Sequence, residues 1–219
     1  MRVLAVDSST DHESVALVQG GQVLGEVRMT AALHSRRLLP AIELLLGSAG
    51  LRPAEIDAYA VTIGPGSFTG LRVGLATVQG LALAAGVRCL GLPTLDVLAA
   101  RIAGTADALV ALMDAQRDEV FGAVYDGAAR LQGDRRIGVV ESFLEALPER
   151  TAFLGDGVAQ HRDRILARLP TAVFPPRSRY LAGTLGLLAE PRLAGGEGAP
   201  PDALRPLYLR GAHLRGARA

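Results

Sequence analysis

Short apolar runs separated by polar turns open the chain and predict an antiparallel meander. The runs are residues 3–6, 14–19 and 22–28, and the last two flank Gly20-Gly21, a pair typical of a tight hairpin turn. A leucine-rich helix is predicted next. Thr30 or Ser35 can cap its start, it runs to about residue 48, Pro40 should kink it, and Gly50 can end it.

The middle of the chain has the pattern of a strand, a helix and a second strand. Residues 58–63 carry no charge, as a strand covered on both faces requires, and a nearly uncharged helix is predicted over about 70–85. The strand 88–92 follows, and Thr94 is predicted to cap a helix reaching residue 102. Strand-helix-strand spacing indicates a parallel crossover, so the meander is predicted to continue as a mixed sheet.

The second half repeats this organisation. Residues 108–113 and 119–125 are predicted strands around a polar turn, followed by strands at 153–155 and 172–174, helices at 159–169 and 179–189, and a flexible linker at 194–201. The pattern predicts an α/β fold of two tandem lobes with mixed sheets. The lobes are residues 1–103 and residues 104–219, the second including a basic C-terminal tail.

Composition and charge narrow the function. The chain is 49% hydrophobic and 21% charged, with a single cysteine, Cys89, in an apolar run where a buried small side chain is expected. A disulfide framework is thereby excluded. No secretory leader is recognised at the start, and no uninterrupted apolar run reaches the ~18 residues of a membrane span. A cytoplasmic protein without a membrane partner is expected.

The basic residues exclude further chemistry. All 23 are arginines and the net charge is only +1, so Schiff-base catalysis, lysine-dependent phosphate loops and a global nucleic-acid footprint are excluded. Only the tail is locally basic, with Arg205, Arg210, Arg215 and Arg218. A frayed terminus and a contact surface both stay open for it.

No catalytic constellation stands out. The four histidines, His12, His34, His161 and His213, are not spaced as a metal-binding pair, and neither a C-x-x-C nor a G-x-S-x-G motif is present. Two turns could still hold phosphate. One is Asp7-Ser8-Ser9-Thr10, a carboxylate with three hydroxyls; the other is the loop containing Gly64 and Gly66, which leads into a helix N-terminus. An ordinary turn and a close backbone approach are the alternatives.

The two predicted helices before and after residue 58 carry more apolar surface than one sheet can cover. In residues 70–85 the only charge is Arg72, and Gly70, Gly74 and Gly80 each lower helix propensity by about 1 kcal/mol relative to alanine. Small residues allow helices to approach closely, so a subunit interface is predicted.

The long motif Gly64-Pro65-Gly66-Ser67-Phe68-Thr69-Gly70-Leu71-Arg72-Val73-Gly74 resembles the TsaB (YeaZ) family. The segments 4–10, 34–40, 79–82, 113–120, 155–157 and 206–210 are similar to that family too, so the resemblance spans the chain. It implies an actin-like ATPase fold, of the sugar kinase and heat-shock chaperone ATPase type.

The resemblance also implies a function. It is that of a non-catalytic partner and platform for TsaD, with TsaE, in making N6-threonylcarbamoyladenosine at position 37 of tRNA. It implies a heterodimer with TsaD, a homodimer when TsaD is absent, and tRNA contact only within the complex. An actin-like ATPase and a metallo-glycopeptidase are the alternatives.

Two differences, one from TsaD and one from working ATPases, favour the non-catalytic role. Residues 91–100 lack the two histidines that TsaD carries there, so no metal site is expected. Ser9 also replaces the glycine of the Asp-x-Gly-Thr turn of working ATPases. No cofactor is expected to be required, and weak binding of ATP or ADP with magnesium at Asp7, Ser8, Ser9, Thr10, Gly64 and Gly66 stays open.

The helices at about 33–49 and 70–85 are predicted to form the contact with TsaD. The predicted contact residues are His34, Leu38, Leu39, Ile42, Leu45, Leu46, Gly70, Arg72, Val73, Gly74, Thr77 and Leu81.

Overall fold

The computed structural model describes residues 1–30 and 34–209, with side chains from residue 37 onward in the second range. The predicted contacts of His34 and the tail arginines Arg210, Arg215 and Arg218 therefore lie outside the described side chains. Two mixed sheets, each antiparallel at one edge and parallel at the other, confirm the predicted α/β class.

The first sheet is built from the opening meander and the crossover. Its strands are β1 (Arg2–Asp7), β2 (His12–Gln19), β3 (Gln22–Thr30), β4 (Ala58–Gly64) and β5 (Cys89–Pro93). Their order is β3-β2-β1-β4-β5, with β1 antiparallel to β2 and parallel to β4. Helices α1 (His34–Ser48) and α2 (Phe68–Ala85) connect the strands, and α1 continues through Pro40.

The second sheet repeats this order with one strand fewer. Helix α3 (Thr94–Ala100) leads to β6 (Ala108–Asp114), β7 (Val120–Asp126), β8 (Leu131–Gly138) and β9 (Thr151–Leu154), arranged β8-β7-β6-β9. The described part of the chain continues with α4 (Gly157–Arg168), α5 (Ala182–Ala194) and a segment that returns to the first sheet.

Alternating side chains divide the protein into layers. In β1, Leu4 and Val6 face α1 and α2, whereas Val3 and Ala5 face a central core that contains α3 and α5. In the second sheet, Leu109 and Ala111 of β6 also join this central core, and alternate residues of β6 face α4. The layers are therefore α1/α2, first sheet, α3/α5, second sheet and α4.

Several predicted elements differ from the structure. Strand β8 was not predicted, because its polar residues and Gly133, at φ +81°, hide the alternation of an edge strand. Residues 172–174 form only one bridge, Ala152 to Val173, because the prolines that follow have no backbone N–H to donate. Thr94 is the first residue of α3 and not its cap.

The C-terminal part is more ordered than its composition predicted. Helix α5 continues through Pro191 to Ala194, and the predicted linker pairs with the edge of β5. The backbones of Cys89 and Ala199 exchange two hydrogen bonds of 3.0 and 2.8 Å. The division into lobes at residues 103 and 104 stays a prediction. The structure adds that α5, although it follows residue 104, packs on β1 and β2 of the first sheet.

Two further points follow from burial. Cys89 is fully buried, as expected, and burial raises the pKa of its thiol to about 11.

Helix α2 is, within the described residues, long and apolar enough to cross a bilayer by length and composition alone. A helix that packs on a sheet meets the same criterion, and α2 packs on β4 and α1.

Candidate functional site

The turn after β1 is closed by internal hydrogen bonds. Oδ1 of Asp7 accepts from the Ser9 amide (3.1 Å), the Ser9 hydroxyl (2.7 Å) and the Thr62 hydroxyl (2.7 Å). Asp7, Ser8 and Ser9 have at most 1% of their surface exposed. The Asp7 carboxylate, which is the predicted magnesium ligand of this turn, thus accepts hydrogen bonds that stabilise the turn itself.

Burial changes the protonation of Asp7. Its Oδ2 has no hydrogen-bond partner among the described residues, and desolvation raises the pKa of the carboxyl although Ser9 and Thr62 oppose this. Desolvation disfavours a charged carboxylate. Burial therefore favours the protonated form of the Asp7 carboxyl. Weak nucleotide binding with magnesium at this turn stays a prediction.

The glycine loop lies directly on this turn. The Ser67 amide donates to Ser9 O (2.7 Å), and the Ser8 hydroxyl donates to Gly70 O (2.8 Å). A Cβ atom at Gly66 would overlap Ser9 O, and one at Gly70 would overlap Ser8 O. The two predicted phosphate turns therefore contact each other, and the glycines permit this close backbone approach. Phosphate binding by these residues stays a prediction.

The remaining residues of this predicted site are placed differently. Gly64, at φ +115°, is buried against the backbone of Leu207, whose amide donates to Ile63 O (2.7 Å). Thr10 is half-buried and its hydroxyl accepts from the His12 amide. Of the six predicted phosphate-binding residues, only Ser9, Thr10 and Gly66 border an open cleft.

This cleft, of about 390 Å³, lies between the turn after β1 and the ends of β6 and β9. Its polar lining includes Thr10, His12, Ser67, Asp114, Asp156 and Arg177. Sequence reasoning missed these residues as neighbours. Asp114 and Asp156 meet because β6 and β9 pair within the second sheet, and Arg177 reaches the cleft from the segment before α5. Within the described residues no group of three metal-ligating side chains is present.

The predicted contact residues of α1 divide between core and surface. The side chains of Leu38, Ile42, Leu45 and Leu46 are 1–3% exposed and pack on the first sheet. They are not available to a partner, so their prediction as contact residues is corrected. Leu39, at 49%, and Leu44, at 63%, are the exposed leucines of α1.

Helix α2 divides in the same way. Gly70 and Gly74 are buried against Ser8 in the turn after β1, so they too are removed from the predicted contact. Arg72 is exposed, while Val73, Thr77 and Leu81 are half-buried. We give the name α1–α2 face to nine of the exposed or half-buried residues of these two helices: Leu39, Leu44, Arg72, Val73, Ala76, Thr77, Gly80, Leu81 and Leu83.

An aromatic cluster borders the start of this face. The Arg72 guanidinium lies 3.7 Å from the centre of the Phe68 ring, and its Nε donates to the Tyr208 hydroxyl (3.1 Å). The Gln79 amide donates to Pro201 O (2.9 Å) and Leu204 O (3.3 Å). The segment after α5 is thus fixed along α2.

Comparison with known proteins identifies the family. Residues 25–166 match the family model described as TsaD, tRNA N6-adenosine threonylcarbamoyltransferase. YeaZ from Pseudomonas aeruginosa superposes with a TM-score of 0.80 at 33% identity, covering 94% of this chain and all of that one. The chain belongs to the TsaB (YeaZ) family.

Relatives of the TsaB family differ in how far they match. The chain is 39% identical to TsaB of Escherichia coli over 127 residues, which cover 57% of this chain and about half, 55%, of that relative. It is 34% identical to an uncharacterized protein of Mycobacterium tuberculosis over 95% of this chain and 91% of that one.

Distant structures establish the fold of this TsaB-family chain. A ROK hexokinase from Thermus thermophilus gives a TM-score of 0.51 at 14% identity, and component A of an (R)-2-hydroxyglutaryl-CoA dehydratase from Acidaminococcus fermentans gives 0.56 at 10%. These likenesses confirm the predicted actin-like ATPase fold.

Proposed function

We propose that the chain acts in the biosynthesis of threonylcarbamoyladenosine in tRNA, as a non-catalytic partner of a TsaD-type transferase. Its relatives in E. coli and Bacillus subtilis are named tRNA threonylcarbamoyladenosine biosynthesis protein TsaB, and these names support the pathway. One observation supports the non-catalytic role: the glycine loop lies so close to the turn after β1 that a Cβ at Gly66 or Gly70 would overlap a carbonyl oxygen of that turn.

The α1–α2 face supports a partner surface. It joins two helices, carries exposed leucines at positions 39, 44 and 83, and has Arg72 as the one charged residue of α2. Helix α1 also exposes Arg37 and Glu43, so the face combines apolar and charged side chains. Exposed large apolar side chains that lie together mark protein interaction sites. The proposed occupant is the matching helix pair of TsaD, or of a second copy of this chain when TsaD is absent.

The rest of the proposal follows the same family. TsaE joins the complex, tRNA is contacted only by the assembly, and the protein works in the cytoplasm without a membrane. No cofactor is required, and weak ATP or ADP binding with magnesium is not part of the proposed role. The described residues contain nothing that favours a metallo-glycopeptidase.

Reconstitution tests the function. TsaD, TsaE, tRNA and the threonylcarbamoyl-adenylate donor are combined with and without this chain, and modified adenosine is measured by mass spectrometry. Modification is expected only when the chain is present. Equal modification without it would contradict the proposal.

A matched pair of variants tests the surface. Ala76, exposed on α2, is changed to arginine, and Ala167, exposed on α4, receives the same change as a control. A buried unpaired charge weakens an interface strongly, so Ala76→Arg should weaken binding to TsaD at least about tenfold, measured by calorimetry. Ala167→Arg should bind as the natural chain does. Equal binding by both variants would locate the contact elsewhere.

A further inference from the structure

The exposed aromatic rings of the protein lie together at the start of α2. The chain has five phenylalanines, four tyrosines and no tryptophan, and the structure describes all of them. Among these residues only Phe68, at 56%, and Tyr208, at 44%, are exposed. Their rings contact each other, with centres 5.7 Å apart and planes inclined by 30°. The two exposed rings therefore form one surface.

The fold holds both rings in place. Phe68 is the first residue of α2. Tyr208 lies between Leu207, whose amide donates to Ile63 O (2.7 Å), and Leu209, which packs on the central core. A surface that is already ordered loses little conformational entropy when a ligand binds. The pair of rings is thus suited to bind a flat partner without rearrangement.

Arg72 adds a positive charge to this surface, and we use the name aromatic cluster for Phe68, Arg72 and Tyr208. The Arg72 guanidinium lies over the Phe68 ring, and its Nε donates to the Tyr208 hydroxyl. Its two terminal nitrogens donate to no described residue, and no described carboxylate pairs with it. These nitrogens can bind phosphate oxygens, whose geometry a guanidinium matches.

Positive charge continues along the segment that carries Tyr208. From residue 203 to residue 219 the sequence has four arginines and no acid, and α2 has no acid either. Arg205 is exposed, and among the described residues it donates only to the carbonyls of Asp202 and Leu204. Exposed rings and arginines without carboxylate partners therefore belong to the same two segments.

Unpaired RNA bases fit both features of this surface. Such bases stack on aromatic rings and arginine planes, and the phosphates beside them attract cations. Double-stranded RNA also offers phosphates, but its bases stay stacked within the helix. An apolar protein surface would cover the rings and leave the Arg72 charge without a counter-charge. The combination of rings and charge thus favours single-stranded RNA.

We propose that the aromatic cluster binds an unpaired base of tRNA, with a neighbouring phosphate at Arg72. Stacking of this kind accepts any base, because every base has a π-face. The inference rests on the proposed function, in which tRNA is contacted by the assembly with TsaD. It adds that this chain supplies one of the contacts. Since Arg72 also belongs to the α1–α2 face, the base lies at the edge of the contact with TsaD.

Variants that remove or keep the rings test the proposal in the assembly with TsaD. Phe68→Leu/Tyr208→Leu removes both rings, whereas Phe68→Tyr/Tyr208→Phe keeps both and is the matched control. Fluorescence anisotropy measures binding of a tRNA and of a fully base-paired RNA duplex of the same length. The leucine variant should weaken tRNA binding at least about fivefold and leave duplex binding unchanged. The control should bind tRNA as the natural chain does.

A second control removes a ring elsewhere. Phe174 lies 4.0 Å from the Arg162 guanidinium in another cation–π pair, and Phe174→Leu should leave tRNA binding unchanged. Circular dichroism checks that every variant is folded, and calorimetry measures its binding to TsaD. All variants should bind TsaD as the natural chain does.

Several outcomes would overturn the inference. They are unchanged tRNA binding by the leucine variant, an equal loss in the variant that keeps the rings, or an equal loss with the duplex. A matching loss of TsaD binding would identify the aromatic cluster as a protein contact instead. Failure of the natural chain to bind TsaD would overturn the partner role and this inference together. Normal TsaD binding with unchanged tRNA binding would overturn this inference alone.

Discussion

At the scale of single residues, glycines in one helix have opposite roles. Gly70 and Gly80 both lie in α2, and each has the same low intrinsic helix propensity relative to alanine. A Cβ at Gly70 would overlap the Ser8 carbonyl, whereas one at Gly80 meets no atom within 4 Å. Only Gly70 is required by the fold of the monomer.

The two glycines give a matched prediction. Gly70→Ala should lower the free energy of unfolding by about 3 kcal/mol or more, because the overlapping atom belongs to the backbone and cannot rotate away. Gly80→Ala should raise it by up to about 1 kcal/mol through helix propensity. Urea denaturation of both variants, at low protein concentration to avoid association, measures the difference. Similar values for the two would contradict the close approach.

Individual residues were predicted where the signal was local. Cys89 could be placed in the core from the apolar run around it, and its burial agrees. Ser67 caps α2 by accepting from the Gly70 amide (3.2 Å), a role that its position before the helix could have indicated but that was not predicted. The closure of Asp7 could not be predicted, because Thr62 is 55 residues away in sequence.

At the scale of elements, α1 shows why composition does not define a surface. Its leucines were expected to exceed what one sheet can cover, and the exposure of Leu39 and Leu44 agrees. Which leucines are exposed depends on the rotation of the helix about its axis. Leu44 and Leu45 are adjacent in sequence, yet one is exposed and the other contacts Gly25 of the first sheet.

These neighbouring leucines provide the second prediction. Leu45→Glu should destabilise the chain by about 4 kcal/mol or more, because it removes a buried side chain and buries a charge. Leu44→Glu should change stability by no more than about 0.5 kcal/mol, since its side chain is exposed. Thermal unfolding followed by circular dichroism compares them. A stable Leu45→Glu variant would mean that α1 is rotated from its described position.

At the scale of the whole molecule, a polar cluster ties the two sheets through α3. Arg135 of β8 binds both carboxylate oxygens of Asp96 in α3, at 2.7 and 2.5 Å. The Tyr125 hydroxyl of β7 donates to the same carboxylate (2.7 Å), and burial, with the nearby Asp96 charge, raises the pKa of Tyr125. The cluster holds α3, which leads out of the first sheet, against the second sheet.

Removing the shared acceptor tests this tie. Asp96→Asn should cost about 1–2 kcal/mol of unfolding free energy, a value discounted for the partial exposure of the pair. Glu197→Gln breaks an exposed pair with Arg192 and serves as the control, with no measurable change expected. If both variants unfold at the same urea concentration as the natural chain, Asp96 does not couple the sheets.

The sequence by itself determined the class of fold and the elements with a strong local pattern. Apolar periodicity, glycine pairs and helix ends depend on neighbouring residues, so the first sheet, α1 and α2 were predicted nearly complete. The polar edge strand β8 and the ordered return along α2 were missed because their stability comes from distant partners. Only the tertiary structure decided that the glycine loop contacts the turn after β1 and which faces of α1 and α2 stay exposed. It also decided that Asp114, Asp156, Arg177 and Arg179 share a cleft. Each of these features depends on how elements far apart in sequence pack together, and no local sequence pattern encodes that packing.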